Sequence, residues 1–124
     1  MSVVASWLVV LRFSGPETDD ATAFLVDASR SARLLASAEG CLGVEVGRAS
    51  DDPSTWVLSA RWRSVGDYRR ALSSYPVKVE AMGFLSKAVE EPTAFELLFV
   101  VDADGERTAS GDLASDAQWV DRSR

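Results

Sequence analysis

The side chains of this sequence that could do chemistry are aromatic residues, arginines and carboxylates, and the aromatic ones include Trp62 and Tyr68. The chain has no histidine and no asparagine, and Cys41 is its single cysteine. Histidine-dependent nucleophiles, zinc centres with cysteine or histidine ligands, and histidine-ligated haem are therefore excluded. Neither a GxxxxGK(S/T) phosphate loop nor a dinucleotide-binding GxGxxG motif is present. We expect no metal and no cofactor, so any reaction must depend on Trp, Tyr, Arg, carboxylates or the substrate's own reactivity.

Trp62 and Tyr68 each have a functional and a structural interpretation. Trp62 can form the wall of a pocket between helices and sheet and stack on a flat ligand, or it can be an ordinary core aromatic. Tyr68 can donate a hydrogen bond to a substrate phenol or carbonyl and stabilise an anion formed during oxidation. Alternatively, it buries its ring and keeps its hydroxyl in water. These two are the candidate catalytic residues, and the candidate substrate-binding residues are Val44, Leu58, Leu72, Tyr75 and Met82.

The composition limits the class of protein. Hydrophobic residues make up 47% of the 124-residue chain and charged residues 26%, which is typical of one globular domain and not of a disordered chain. The net charge of −6 argues against a nucleic-acid partner, because phosphate contacts need a basic surface. No apolar run reaches the roughly 18 residues that a membrane span needs. No basic residue precedes the N-terminal apolar stretch, so we expect no signal peptide and a cytoplasmic location.

The hydrophobic pattern predicts four strands. Residues 3–13 and 93–101 form the first and last strands, and residues 41–49 and 55–63 form a hairpin between them. In the hairpin, one face of the first strand carries Leu42, Val44 and Val46. One face of the second strand carries Trp56, Leu58, Ala60 and Trp62. If Ser50 faces Trp56 across the turn, Val44 lies opposite Trp62 and Glu45 opposite Arg61.

Two helical regions are predicted between the strands. The first begins after the N-cap Thr18 and runs to about Ala38, with an apolar stripe of Ala21, Leu25, Ala28, Ala32 and Leu35. The second begins after Ser64, which with Asp67 resembles a capping box, and has Tyr68, Leu72 and Tyr75 along one side. Pro76 interrupts this second region, which continues from Val77 to Glu91 and carries Val79, Met82, Leu85 and Val89.

The resulting β-α-β-β-α-β order predicts a ferredoxin-like α+β fold with a four-stranded antiparallel sheet and both helices on one face. This domain covers residues 1–101, and residues 102–124 are interpreted as a polar, acidic C-terminal tail. The first and last strands are apolar on both faces, while the helices can cover only one. The uncovered face predicts a homodimer that pairs sheet to sheet, with charged residues at or beside the interface: Glu45, Arg61 and Arg63. The alternative is that the tail folds back as a cover.

The stretch GCLGVEVGRASDDPSTWVLSARWRSVGDYRRAL, residues 40–72, resembles the antibiotic-biosynthesis monooxygenase family of dimeric α+β barrels. The shared features are a glycine-rich entry to the second strand, a short acidic turn, a strand ending in Trp, and a helix that begins with Ser. The resemblance extends over about residues 1–101. It implies a cofactor-independent monooxygenase that oxidises a small aromatic or quinol-like substrate with O2.

The functional residues of that family carry over in part. Haem-degrading members use an Asn, a Trp and a His; Trp62 matches the Trp, but Leu58 and Ala71 stand at the other positions, so the resemblance does not imply haem degradation. In quinone-forming members, Trp62 and Tyr68 match the Trp and Tyr, whereas Leu58 replaces the Asn and Met82 falls near the Arg. The alternative function is a non-catalytic, small-ligand-binding dimeric accessory or stress-response protein. A sealed, filled space beneath Trp62 would instead favour a structural role.

Overall fold

A computed structural model describes residues 6–15 and 21–109. Its main sheet is antiparallel with the order β2-β3-β1-β4, formed by β1 (Ser6–Ser14), β2 (Cys41–Arg48), β3 (Thr55–Trp62) and β4 (Ala94–Leu97). The helices are α1 (Ala21–Ala36), α2 (Val65–Ser73), α3 (Tyr75–Glu80) and α4 (Met82–Leu85). The ferredoxin-like α+β class is therefore confirmed. The predicted N-cap Thr18 lies outside the described residues. None of the described helices is long and apolar enough to cross a membrane.

The two central strands, β1 and β3, provide most of the core. Alternate side chains of each strand face the helices, as expected for a period of two, and they are the buried ones: Trp7, Val9, Leu11 and Phe13 on β1, and Trp56, Leu58, Ala60 and Trp62 on β3. The strands align with Trp7 opposite Trp62 and Leu11 opposite Leu58. The predicted inward face of β3 is confirmed.

The β2–β3 hairpin forms, but the predicted register is wrong. Val44 lies opposite Ala60 and Glu45 opposite Ser59. From Gly43 to Arg48, each residue of β2 therefore pairs with a β3 residue that is two positions nearer the turn than predicted. The cause is the side chain of Asp52, which accepts hydrogen bonds from the Ser54 amide and hydroxyl and from the Thr55 hydroxyl. These bonds hold a longer turn, as Asp side chains commonly do, and the last pair of the ladder is Arg48 with Trp56.

At its other end the hairpin contains an irregularity between Cys41 and Gly43. Such a bulge reverses the side to which the neighbouring side chains point. Leu42 is consequently exposed, and Cys41 packs against the core with Val44 and Val46. The prediction that Leu42 shares the inward face is therefore wrong.

At the N-terminal end of α1, the buried stripe lies one residue away from its predicted position. Leu25 is 43% exposed, and Phe24 packs instead against the rings of Phe13, Trp56 and Phe84. The stripe thus runs through positions 24, 28, 31 and 35, which keeps the helical spacing of three and four. The aromatic cluster formed by β1, β3 and α4 determines which of two adjacent apolar residues turns inward.

The region after β3 is divided into three short helices. The first break is at Ser74, and Pro76 lies in the first turn of α3, where its fixed φ and missing N–H are tolerated. Tyr75 therefore begins a new helix and is 77% exposed, so it does not lie beside Tyr68 as predicted. Within α3 the buried residue is Val77, whereas Val79 is exposed. The predicted continuous helix to Glu91 is wrong, because α4 ends at Leu85.

The predicted last strand is split at Leu98. Residues beyond it form a separate hairpin of β5 (Phe99–Asp102) and β6 (Gly105–Thr108). Gly105 has a φ of +113°, which the turn requires and which Gly adopts readily, and Asp102 and Arg107 form an ion pair at 2.6 Å. Strand β6 thus lies in the segment interpreted as a tail. Residues 110–124 lie outside the described residues, where the tail stays a prediction.

Candidate functional site

Trp62 and Tyr68 meet at one end of the main sheet. Trp62 is the last residue of β3 and Tyr68 lies near the start of α2, and their ring centroids are 5.4 Å apart with planes inclined by 51°. Trp62 is 0% exposed and Tyr68 is buried. Burial raises the pKa of the Tyr68 hydroxyl, because the phenolate would lose its hydration. At neutral pH this hydroxyl is therefore protonated and available as a hydrogen-bond donor.

An ionic anchor positions Tyr68 through its neighbour Asp67. The Ser64 hydroxyl caps α2 by accepting the Asp67 amide at 3.1 Å, as the sequence predicted. The buried Asp67 carboxylate accepts hydrogen bonds from Arg70 and, at 2.9 Å, from Arg63. These two guanidinium groups, Arg70 above all, lower the pKa of Asp67. Arg63 therefore pairs within its own protomer, and its predicted pairing at a dimer interface is not needed to explain its position.

Gly40 completes this anchor from the α1–β2 connection. Its φ is +88°, a conformation that favours Gly, and a Cβ atom built there would overlap the Asp67 side chain. The Gly40 carbonyl also accepts the Arg63 amide at 2.8 Å. The start of α2 is thus held against the end of α1 by a backbone approach that only Gly permits.

The structure brings most of the candidate substrate-binding residues to the core around this pair but leaves one outside. Leu58 is fully buried on the inward face of β3, two residues from Ala60 and four from Trp62. Three other candidates are half buried and pack against the core: Val44, Leu72 and Met82. Tyr75 is the exception, because its ring projects from the first turn of α3 into solvent.

Trp62 is closed off from solvent, because its side chain is 0% exposed. Five clefts found among residues 6–15 and 21–109 have linings that include neither Trp62 nor Tyr68. The indole Nε1 of Trp62 is nevertheless buried without a hydrogen-bond acceptor. Buried donors are nearly always paired, so an unpaired one needs an explanation. A ligand oxygen would satisfy it only if a covering segment moved.

The sequence interpretation missed Glu96, which lies in the same part of the sheet. Trp7 of β1 pairs with Glu96 of β4 on one edge and with Trp62 of β3 on the other. The three residues therefore form a row across the helix-facing side of the sheet. One carboxylate oxygen of Glu96, Oε2, is buried and has no hydrogen-bond partner. The available signal was a single charged residue inside the apolar stretch TAFELLFVV of residues 93–101.

Metal ligands do not converge in the described part of the chain. Among residues 6–15 and 21–109, no three His, Cys, Asp or Glu side chains are grouped closely enough to hold an ion. The arrangement beside Trp62 therefore offers hydrogen-bond donors, one unpaired carboxylate and an apolar surround.

Comparison with solved structures gives the same fold. A conserved protein from Methanosarcina mazei Go1 superposes with a TM-score of 0.60 and 17% identity, covering 76% of this chain and 92% of that one. A structure from Nitrosomonas europaea, described as a putative antibiotic biosynthesis monooxygenase, gives 0.57 and 13%, covering 90% and 96%. SnoaB, a cofactor-independent oxygenase from Streptomyces nogalater, gives 0.54 and 18%, covering 88% and 95%.

At these identities the structural likeness shows the fold alone, and no curated protein matches the chain. The family comparison goes further. The model of the family described as "Antibiotic biosynthesis monooxygenase" matches residues 7–79. These residues include β1 from Trp7 onwards, the β2–β3 hairpin, α2 and the Trp62–Tyr68 pair. Because this match covers more than half of the chain, the protein belongs to the antibiotic biosynthesis monooxygenase family.

Proposed function

We propose that this protein is a cofactor-independent monooxygenase that oxidises a small aromatic or quinol-like substrate with O2. Membership of the monooxygenase family supports the proposal, as does the fold shared with SnoaB, an oxygenase described as cofactor-independent. The observation that carries it is the buried contact of Trp62 and Tyr68, in which the Trp62 Nε1 donor has no acceptor. The unpaired N–H of Trp62 and the protonated hydroxyl of Tyr68 are donors of the kind that stabilises an oxygen atom gaining negative charge.

In the proposed reaction the substrate supplies the electrons. Loss of a proton makes an electron-rich carbanion or phenolate, which O2 oxidises; one oxygen atom enters the substrate and the other leaves as water. In an anthrone the ring CH2 becomes C=O, and in a hydroquinone a ring C–H becomes C–OH as the ring is oxidised to the quinone. The protein contributes orientation and exclusion of water. Tyr68 donates a hydrogen bond to the substrate oxygen, Trp62 packs against its ring, and the unpaired carboxylate of Glu96 is the candidate proton acceptor.

Entry of a substrate requires movement of the covering helices. The helical region after β3 is broken at Ser74 and Ala81, so its segments can shift without unwinding a long helix. Tyr68 is carried by the first of these segments, α2. Because the start of α2 is anchored at Asp67, we infer that displacement of α3 and α4 opens the space beside Trp62 while Tyr68 stays in place.

The test is oxygen consumption with an anthrone and a panel of hydroquinones, measured with an oxygen electrode and by product absorbance. Wild-type protein should consume one O2 for each anthraquinone formed from the anthrone, or for each hydroxyquinone formed from a hydroquinone, and should release no hydrogen peroxide. Tyr68→Phe should slow the reaction by roughly 10²-fold, the lower range for loss of a catalytic proton donor. Tyr75→Phe is the matched control, since that ring is exposed, and it should leave the rate unchanged. No oxygen consumption by wild-type protein with any of these substrates would refute the proposal.

We further propose that two copies pair through the outer face of the main sheet. On that face Leu8 lies opposite Phe95, which is 45% exposed. Val10 is the next residue on the same face of β1, and Leu97 is the next on the same face of β4. An apolar face of this kind is costly to leave in water and is typical of an interface. Phe95→Glu should produce monomers in analytical ultracentrifugation, whereas Val79→Glu, on an exposed position of α3, should not. A monomeric wild-type protein would contradict the pairing.

The alternative is a non-catalytic dimer that binds a small aromatic ligand, located like the proposed enzyme in the cytoplasm. The observation that supports it is the buried, unpaired Nε1 of Trp62, because a ligand oxygen can accept a hydrogen bond from it without reacting. The closed surround of Trp62 favours neither function, because it gives neither O2 nor a ligand preformed room, and both functions require a covering segment to move. Equilibrium dialysis followed by mass spectrometry separates the two. Recovery of bound, unaltered ligand under air supports the binding role, and recovery of the quinone supports the enzyme.

A further inference from the structure

A cleft at the opposite end of β3 is independent of the Trp62 region. It lies between the N-terminal half of α1 and the edge strand β2, and has a volume of about 390 Å³. Small-molecule sites typically measure about 300–1,000 Å³. Its lining includes Ala21, Thr22, Leu25, Val46, Arg48 and Trp56. We call it the Arg48 cleft.

Its walls include apolar surface that the core leaves exposed. Because the buried stripe of α1 passes through Phe24, Leu25 projects from the helix beside the cleft and remains 43% exposed. Val46 of β2 forms the facing wall and is only half buried. Covering these surfaces with an apolar ligand would remove them from water, which is favourable in proportion to the area buried.

Among the described residues that line the cleft, the charged side chain is that of Arg48. The Arg48 guanidinium lies over the Trp56 ring, with its central carbon 5.2 Å from the ring centroid, a cation–π contact that holds the group in place. Among the described residues Arg48 forms no ion pair, and the described lining contains no carboxylate. The guanidinium therefore keeps hydrogen-bond donors that a planar carboxylate can accept in pairs.

We propose that the Arg48 cleft binds a small apolar carboxylate, with the carboxylate on the Arg48 guanidinium and an aromatic or branched aliphatic body against Leu25 and Val46. The site is separate from the proposed oxygenase site. Trp56 and Trp62 lie at opposite ends of β3, six residues or about 20 Å apart in an extended strand. Binding here does not depend on the oxygenase proposal.

The probe is 2-naphthoate, titrated into the full chain and followed by isothermal titration calorimetry and by amide chemical shifts. Wild-type protein should bind it with a dissociation constant of about 1 mM or tighter, and the shifts should centre on residues 21–25 and 46–48. Arg48→Gln should weaken binding about tenfold or more, the effect of losing one charge-assisted pair. Arg30→Gln, an exposed arginine on α1 that pairs with Asp27, is the matched control and should bind as wild type.

Two comparisons make the result decisive. The neutral amide 2-naphthamide should bind wild-type and Arg48→Gln protein equally weakly, because it lacks the charge that Arg48 recognises. Far-ultraviolet circular dichroism should show that Arg48→Gln remains folded, as expected for an exposed side chain. The proposal is overturned if 2-naphthoate does not bind, if Arg48→Gln binds it as wild type does, or if the shifts centre on Tyr68. The last result would instead place the ligand in the proposed oxygenase site.

Discussion

Replacing Gly40 with Ala tests whether the anchor at Asp67 holds α2 in place. The new Cβ atom meets two penalties. A φ of +88° is unfavourable for an L-residue by about 1–2 kcal/mol. The Cβ atom would also overlap the Asp67 side chain, and forcing extra atoms into a packed site costs about 1–3 kcal/mol. The free energy of unfolding should therefore fall by about 3 kcal/mol, a value within the summed range of about 2–5 kcal/mol.

Thermal unfolding gives the same loss as a temperature. An unfolding entropy of about 2.1 cal/mol/K per residue gives about 0.26 kcal/mol/K for 124 residues. A loss of about 3 kcal/mol then lowers the Tm by about 12 °C. Urea unfolding monitored by circular dichroism measures the free energy, and tryptophan fluorescence reports whether Trp62 has lost its contact with Tyr68.

Gly66→Ala is the matched control. Gly66 lies within α2, and a Cβ there would approach nothing closer than 3.6 Å. The same substitution should raise the free energy of unfolding by about 0.5–1 kcal/mol, because Ala is the better helix former. If Gly40→Ala costs less than about 1 kcal/mol, Asp67 is not held by close contact with the Gly40 backbone, and the account of the anchor is wrong.

Three further predictions follow from the core and from the shifted pKa values. Phe24→Ala should lower the free energy of unfolding by about 3–5 kcal/mol, and Leu25→Ala by less than about 1 kcal/mol. Urea unfolding measures both losses, and equal losses would contradict the finding that the buried stripe of α1 passes through Phe24. Because the folded pKa of Asp67 is lowered, its stabilisation is complete above about pH 4 and lost as pH falls through the folded pKa. The difference in Tm between wild type and Asp67→Asn should therefore shrink on acidification, and a constant difference would be inconsistent with ionic anchoring. Tyr68 should ionise above the usual tyrosine pKa of about 10, a step that ultraviolet absorbance detects and that Tyr68→Phe should remove.

The features that the sequence predicted well are those with a local period. Strands β1 and β3 alternate between apolar inward residues and more polar outward ones, and a strand that starts on the correct face stays on it. The N-cap Ser64 was also predicted, because its hydroxyl acts only three residues away. Trp62 and Tyr68 were named together because of the family resemblance, and the contact between their rings is a finding of the structure.

The features that failed depend on contacts distant in sequence. Choosing Phe24 over Leu25 required knowledge of the rings contributed by other strands and helices. The hairpin register depended on how many bonds the Asp52 side chain makes. The position of Tyr75 depended on whether Pro76 ends one helix or begins the next, and both are compatible with its fixed φ. The burial of the Asp67 side chain and of one Glu96 oxygen was missed, because the residue type alone does not show whether a charged residue is buried.

The order of the strands has a consequence for synthesis of the protein. Strand β1 precedes the other strands, yet it does not pair with β2, the next strand in sequence, but with β3 and β4. In a nascent chain one edge of this apolar strand therefore stays unpaired until residue 62 has left the ribosome, and the other edge until residue 97 has left it. Such a strand readily joins other chains, so truncation before Ala94 should yield insoluble protein, and slow translation of the middle of the chain should increase the demand for chaperones.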